Sequence, residues 1–485
     1  MPAILILAGM LYSSCSTPLK NTSDTVANQV VDAIEIFPKN PFYWQYNGEP
    51  ILLRGGSKED NLFNHPDGMK AHLEELKSVG GNYIRNTMSS RNPGNPWPFQ
   101  KGSNGLYDLD QWDETYWERF ENLLKWTSEM DIIVQIEIWD PWDYFKSEAS
   151  LGYGPENVGW ESCPYNPVMN VNYTAEESQL KEEIDYFSKA IASNHLFFST
   201  VPALEDIPVV RKYQEAFVDK ILSYTLEYPN VLYCMNNEIG EAQEWGEYWA
   251  QYIRDKSEMA GKKVFMTDMR RNIDFSSEEQ VSLLHNDELY DFFEISQNSA
   301  NNDQNHYDQI LSIRKQVLDH PKPLNSVKIY GGEIGKWTTS VEEGTRRFWR
   351  SVFGGIAAVR FHRPGPSHQY FGLGLSELAK THIKSIDQFV GEFDIFKSQP
   401  SNQLLNDREA NEAYCLADHG TAYAVYFPDG GNVSIDLSEM GGELNIKWLN
   451  ILENSWSEVS QNKTDQQINL QTPGKGHWLV IINGE

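Results

Sequence analysis

The sequence predicts a (β/α)8 barrel followed by a small antiparallel β-sandwich. From about residue 47 to 393, short apolar runs alternate with amphipathic helical stretches. No Gly-rich phosphate fingerprint opens any of those helices, which argues against a dinucleotide fold. After residue 393 the texture changes to short β-rich runs broken by turn-forming pieces such as PDGGN at 428–432, MGGE and TPGKG. Strand–helix alternation implies a parallel sheet with right-handed crossovers. Eight such units in about 350 residues suit a closed barrel with enlarged loops better than an open doubly wound sheet.

The predicted strands are 51–55, 83–87, 132–138, 231–236, 264–267, 292–296, 328–332 and 357–361. Helical patterns at 68–79, 116–130, 209–228, 241–260, 303–318 and 341–353 fall between them, and another at 376–393 follows the eighth. The stretch between the fifth and sixth strands has no clear pattern. Short β-rich runs at 413–416, 422–427, 431–436, 444–449, 467–470 and 477–482 make the sandwich. The expected division is a signal at 1–15, a tether and lead-in at 16–46, the barrel at 47–397, a linker at 398–412 and the sandwich at 413–485.

With 40 basic against 69 acidic residues and a net charge of −29, the chain excludes a nucleic acid partner. Aromatic content of 13%, with 15 Trp, fits a carbohydrate binder, since sugar faces stack on indoles, although large cores also use Trp. Residues 1–14 are apolar and then small, too short to span a bilayer as a helix, and read as an export signal. Their end, LYSSC, resembles a bacterial lipobox in which Cys15 is lipidated after cleavage. Tyr12 stands where that motif prefers Leu, and no Lys or Arg precedes the run. The expectation is an exported bacterial protein, periplasmic or anchored to the outer membrane as a lipoprotein. Cys163, Cys234 and Cys415 have no spacing suggestive of a metal site or disulfide framework, and no metal or cofactor is expected.

Two segments carry the chemistry: VLYCMNNEIG at 231–240 and VKIYGGEIGKW at 327–337. Each is a strand-like run that stops at a glutamate, Glu238 and Glu333. In a barrel both fall at the carboxyl ends of strands, four and seven, where function sits. Paired carboxylates are what glycosidic cleavage requires, one protonating the leaving oxygen and the other attacking or activating water. Either could instead decorate a helix N-terminus. The third strand ends in EIWDPWDYF, where Trp139 and Trp142 are candidate sugar platforms and Asp140 or Asp143 candidate hydroxyl partners. Alternatively these aromatics pack the long loop at about 140–208, in which Trp160 and Asn166 are weaker candidates. Trp337 closes the second segment as a further sugar contact. Strand five ends near Asp268, Arg270 and Arg271, and strand eight in Arg360, Phe361, His362 and Arg363. Arginines converging on a barrel mouth would favour a uronic acid-containing or sulfated carbohydrate, or they pair with local acids such as Asp268, Glu294 and Asp274.

With these residues placed, the chain resembles clan A glycoside hydrolases, the retaining TIM-barrel superfamily. In that clan the acid/base is a Glu ending strand four, commonly after Asn, as in Asn237–Glu238. The nucleophile is a Glu ending strand seven, matched by Glu333. Arg85, in GNYIRNT, stands where such barrels often carry an arginine near the nucleophile. RFHRP departs from the aromatic usual at strand eight, and Gln297 and Asn298 stand where relatives often carry Tyr or His. The resemblance implies a retaining glycosidase acting on a polysaccharide or its oligosaccharides, with the pKa of Glu238 raised by Glu333. It also implies Asn237 on the sugar 2-hydroxyl and Arg85 orienting Glu333. The runs YAVYFPDGGNVSIDL, IKWLNILENSW and TPGKGHWLVII are similar to the collagen-binding-type domain that follows apiosidase-related barrels. A barrel-capping role is expected of it, not collagen binding. The competing function is a non-catalytic carbohydrate-binding or adhesion lipoprotein using the same groove.

Overall fold

The computed structural model describes residues 33–90, 94–147, 158–185, 195–331, 340–363, 372–463 and 466–484. The expected signal with Cys15, and the site candidates Glu333 and Trp337, lie outside them.

Eight parallel strands form the barrel: β1 (Leu53–Gly56), β2 (Tyr83–Thr87), β3 (Ile133–Trp139), β4 (Val231–Asn236), β5 (Met266–Thr267), β6 (Phe293–Glu294), β7 (Leu324–Ile329) and β8 (Ala358–Phe361). Their order is β5-β4-β3-β2-β1-β8-β7-β6. The seam between β5 and β6 is bridged by Asp291, whose N–H donates to the Met266 carbonyl at 2.8 Å and whose carboxylate accepts from the Met266 N–H at 2.9 Å. Among the described residues one long helix follows each strand: α1 (Pro66–Ser78), α2 (Glu114–Glu129), α3 (Pro208–Thr225), α4 (Gln243–Met259), α5 (Glu278–His285), α6 (Asp303–Gln316), α7 (Val341–Phe353) and α8 (Glu377–Glu392), with a single turn at Ala175–Ser178 in the loop before α3. The patternless stretch after the fifth strand is α5, which Ser277 starts by accepting from the Gln280 N–H. Strand seven begins at Leu324 and ends at Ile329, a correction to the predicted 328–332.

The amino-terminal mouth is plugged. Glu35–Ile36 and Trp44–Tyr46, inside the expected lead-in, and Glu49–Ile51, at the start of the expected barrel, form an antiparallel sheet. Trp44, fully buried, meets Phe265 and Phe292 edge-on just ahead of β5 and β6, and its indole N–H donates to Asn325 on β7 at 3.0 Å. Trp44→Phe removes that donor and leaves the buried amide oxygen short of a partner. It is expected to cost about 1–3 kcal/mol of stability, measured as a shift in the urea midpoint at unchanged slope.

The carboxyl-terminal module is a sandwich of a seven-stranded and a three-stranded antiparallel sheet. Gln399–Pro400 and Leu405–Asn406 already pair within these sheets, so the expected linker belongs to the module. Alternation along Tyr414–Asp418 and Ala422–Phe427 divides the larger sheet's two faces. Cys415, Ala417, Tyr423 and Val425 fill the sandwich core, while Tyr414, Leu416, Ala424 and Tyr426 join the barrel's core. Tyr426 stacks on Trp349 of α7, and the Ser385 hydroxyl of α8 donates to the Ile451 carbonyl at 2.7 Å. The module therefore packs on the barrel's outer helices.

Candidate active site

Inward-facing positions of the barrel strands carry polar and charged groups where a purely structural barrel would use branched apolar residues. Tyr83 donates to Gln135 at 2.6 Å, and Gln135 donates to Glu294 at 3.2 Å. Above this layer Arg85 forms a two-pronged pair with Glu137 and reaches Asp60 at 3.1 Å. Arg85 and Glu137 are fully buried. Asp60, in the loop after β1, also meets His362 Nδ1 at 3.4 Å and Arg363 Nε at 2.9 Å. Burial holds His362 well below the usual imidazole range against the pull of Asp60, with the charges of Arg85, Arg363 and Arg360 adding to the fall, so its ring is neutral.

Glu238 lies two residues past β4 with φ of 56°, a left-handed conformation that costs a non-glycine residue about 1–3 kcal/mol. The backbone around it is pinned, since Asn237 N–H donates to the Trp139 carbonyl and Ile239 N–H to the Met269 carbonyl. Its carboxylate takes the ammonium of Lys328 at 2.8 Å and the amide of Gln297 at 3.0 Å, and its side chain keeps 22% exposure. Lys328, on β7 and nearly buried, also donates to the side-chain oxygen of Asn237. Asn237 in turn donates to Asp140 at 3.1 Å.

The predicted rise in the Glu238 pKa is corrected by these surroundings. Burial pushes it up, but the charge and hydrogen bond of Lys328, the Gln297 amide and the more distant Arg85 prevail and bring it down to about 2. Glu294 behaves oppositely. Burial lifts it to about 7, against the hydrogen bonds from Ser296 and Gln135 and with help from Glu137. In the window between its usual 4.5 and about 7 the folded chain therefore binds more protons at Glu294 than the unfolded chain does. Its contribution makes stability fall as pH rises through that window. Glu294→Gln is expected to flatten that slope, read from urea midpoints across the range.

No family model matches the sequence, and no curated protein matches it. Solved structures do. A glycoside hydrolase aligns over 94% of this chain and 97% of its own length, at TM-score 0.62 and 12% identity. A family 5 glycoside hydrolase from Bacteroides vulgatus aligns over 93% of both chains, at TM-score 0.62 and 13% identity. The chain has the glycoside hydrolase fold. A family 5 mannosidase from Rhizomucor miehei, solved with mannosyl-fructose, covers 74% of this chain and 98% of its own, at TM-score 0.52 and 13% identity. The likeness is to barrel and sandwich together in the first two, and nothing in it singles out apiosidase-related barrels or collagen-binding domains.

The structure brings Glu238, Asn237, Asp140, Arg85, His362 and Arg363 to one end of the barrel, and Trp142 stays half-buried on the turn that Asp140 caps. Two candidates are corrected. Trp139 is fully buried among Phe217 of α3 and Trp245 and Trp249 of α4, so no sugar can stack on it. Arg270 is nearly buried and donates to Glu279 at 2.6 Å and to the Glu241 carbonyl, which leaves it facing α5 and the loop after β4. Asp143 holds Ser89 and Ser90, while Trp160 and Asn166 bond to loop carbonyls, as packing residues do. Sequence reading missed Lys328 and Asp60. Lys328 had a signal, a cation alternating with Val327 and Ile329 inside a buried strand; Asp60, one of two neighbouring acids in a loop, had none. Among the described residues no group of His, Cys, Asp or Glu is arranged to hold a metal ion.

Proposed function

We propose that this protein is a retaining glycoside hydrolase that cleaves a polysaccharide or its oligosaccharides with Glu238 and Glu333 as its two carboxyl groups. The observation that carries the reading is Glu238 itself: strained, partly exposed and cradled at the carboxyl end of strand four of a barrel shared with glycoside hydrolases. Glu238 serves as acid and then base, and Glu333 as nucleophile. The geometry around Glu238 is that of the ionised form, which takes a proton from the attacking water. The acid half-reaction needs that proton in place, and it requires Lys328 to lean towards Asn237, which it already touches.

A neutral sugar fits the mouth better than an anionic one. Arg270 is paired with Glu279, and Arg363 with Asp60, so a uronate or sulfate would have to displace an internal carboxylate. Export with Cys15 as a lipid anchor suits an enzyme of extracellular polysaccharide.

The test is a panel of 4-nitrophenyl glycosides and of plant and algal wall oligosaccharides, followed by release of nitrophenolate or reducing ends. Hydrolysis by the wild type that disappears in Glu238→Gln is expected. Binding without hydrolysis across the panel would point instead to a non-catalytic carbohydrate-binding protein.

A further inference from the structure

We propose that Lys328, by bridging Glu238 to Asn237 across the barrel mouth, is the positioning residue that holds the Glu238 carboxyl group ionised in the substrate-free site. The inference rests on the reading of Glu238 as a working carboxyl group, and it concerns a residue on the opposite side of the barrel. β4 and β7 are not neighbours in the sheet, so no backbone ladder sets the distance between them. The Lys328 side chain spans that gap. Its ammonium lies 2.8 Å from Glu238 Oε1 and within hydrogen-bond reach of Asn237 Oδ1, and the side chain is 3% exposed. A buried lysine with no acceptor is costly, so its two acceptors and its position are mutually enforced.

The other groups facing Glu238 do not supply the same control. Gln297, after β6, is a neutral donor, and Arg85, on β2, spends its hydrogen bonds on Glu137 and Asp60. Tyr330, beyond β7, is half-buried and edge-on against the neutral His362, and its hydroxyl pKa is raised further above its usual range, so it remains uncharged. Asp140 reaches the assembly through Asn237. Lys328 is therefore the cation in direct contact with Glu238 among the described residues. Its removal leaves burial opposed by a distant guanidinium and one amide.

The experiment needs no substrate. Protein labelled with 13C at the glutamate carboxyl carbons is titrated by NMR, and the Glu238 signal is assigned by its loss in Glu238→Gln. In the wild type that signal is expected to stay in its ionised position from about pH 4 to 8. In Lys328→Met it is expected to titrate inside that window, displaced upward by about two pH units or more. Lys328→Arg is expected to restore the flat profile, which a merely structural role would not require. Lys328→Gln replaces the methionine variant if the latter does not fold. A Glu238 signal that titrates identically in wild type and the neutral variants would overturn the proposal. Because the readout is independent of hydrolysis, that failure is separate from a failure of the panel to find a substrate.

Discussion

Glu238→Gln is expected to lower kcat by about 10²–10⁴-fold, the usual worth of a positioned proton-transfer group. The change is nearly isosteric, so Gln297 and the pinned backbone on both sides of residue 238 keep the side chain in place. What is lost is the capacity to give and regain a proton. Lys328 loses an anionic partner but keeps the Asn237 oxygen, so part of the destabilisation is offset. Rates should be expressed per folded molecule, with the melting curve measured on the same preparation. A smaller loss, below about tenfold, would place the proton-transfer group elsewhere.

Arg85→Met is expected to destabilise the fold by about 3–5 kcal/mol, because it leaves buried carboxylates without their countercharge. Glu137 and Asp60 both face the guanidinium, and both are almost wholly removed from solvent. Burial already pushes Glu137 above the usual carboxylate range, and the arginine is the foremost group pulling against it. Without Arg85 the carboxyl must take up a proton or the barrel interior must open. Adding Glu137→Gln to Arg85→Met is expected to recover much of the loss, since a neutral amide is cheaper to bury than an unpaired charge. Urea unfolding of the two singles and the double gives the coupling directly. An Arg85→Met midpoint close to wild type would show that solvent reaches the Arg85–Glu137 layer.

The barrel was legible because its helices are long and amphipathic and its strands are buried on both faces. Strand ends were less legible. β5 and β6 are two residues each, and their apolar flanks, Val264–Phe265 and Phe292, are buried but only partly laddered, the Phe265 carbonyl accepting from the Tyr233 N–H at 3.0 Å. β7 starts with Leu-Asn-Ser, which reads as a turn, yet Asn325 is buried because Trp44 takes its oxygen from the plug below. The lead-in looked like a tether for the same reason: the residue that buries Trp44 against the barrel, Asn325, is distant in sequence.

Within the site, Glu238 was readable from its place after an apolar run, and its strain was not, because φ at a non-glycine residue leaves no mark in the sequence. Arg270 and Arg363 were readable as either ligand-binding or paired cations, but their partners, Glu279 and Asp60, were not, since folding alone joins them. Trp139 looked like a platform because it adjoins Asp140. The chain turns at that point and sends the indole into the helices and the carboxylate towards Asn237.

The central claim is that this barrel cleaves glycosides with retention, through a covalent intermediate on Glu333 and proton transfer by Glu238. It is tested most directly with an activated 2-deoxy-2-fluoro glycoside of the sugar that the panel identifies. The fluorine slows both steps by destabilising the oxocarbenium-like transition state, and the good leaving group lets the first step run ahead, so the intermediate accumulates. Peptide mass spectrometry is predicted to find one fluorosugar on the peptide containing Glu333, with activity lost in proportion to labelling. A label on Glu238, or continued hydrolysis with no adduct on either glutamate, would contradict the account.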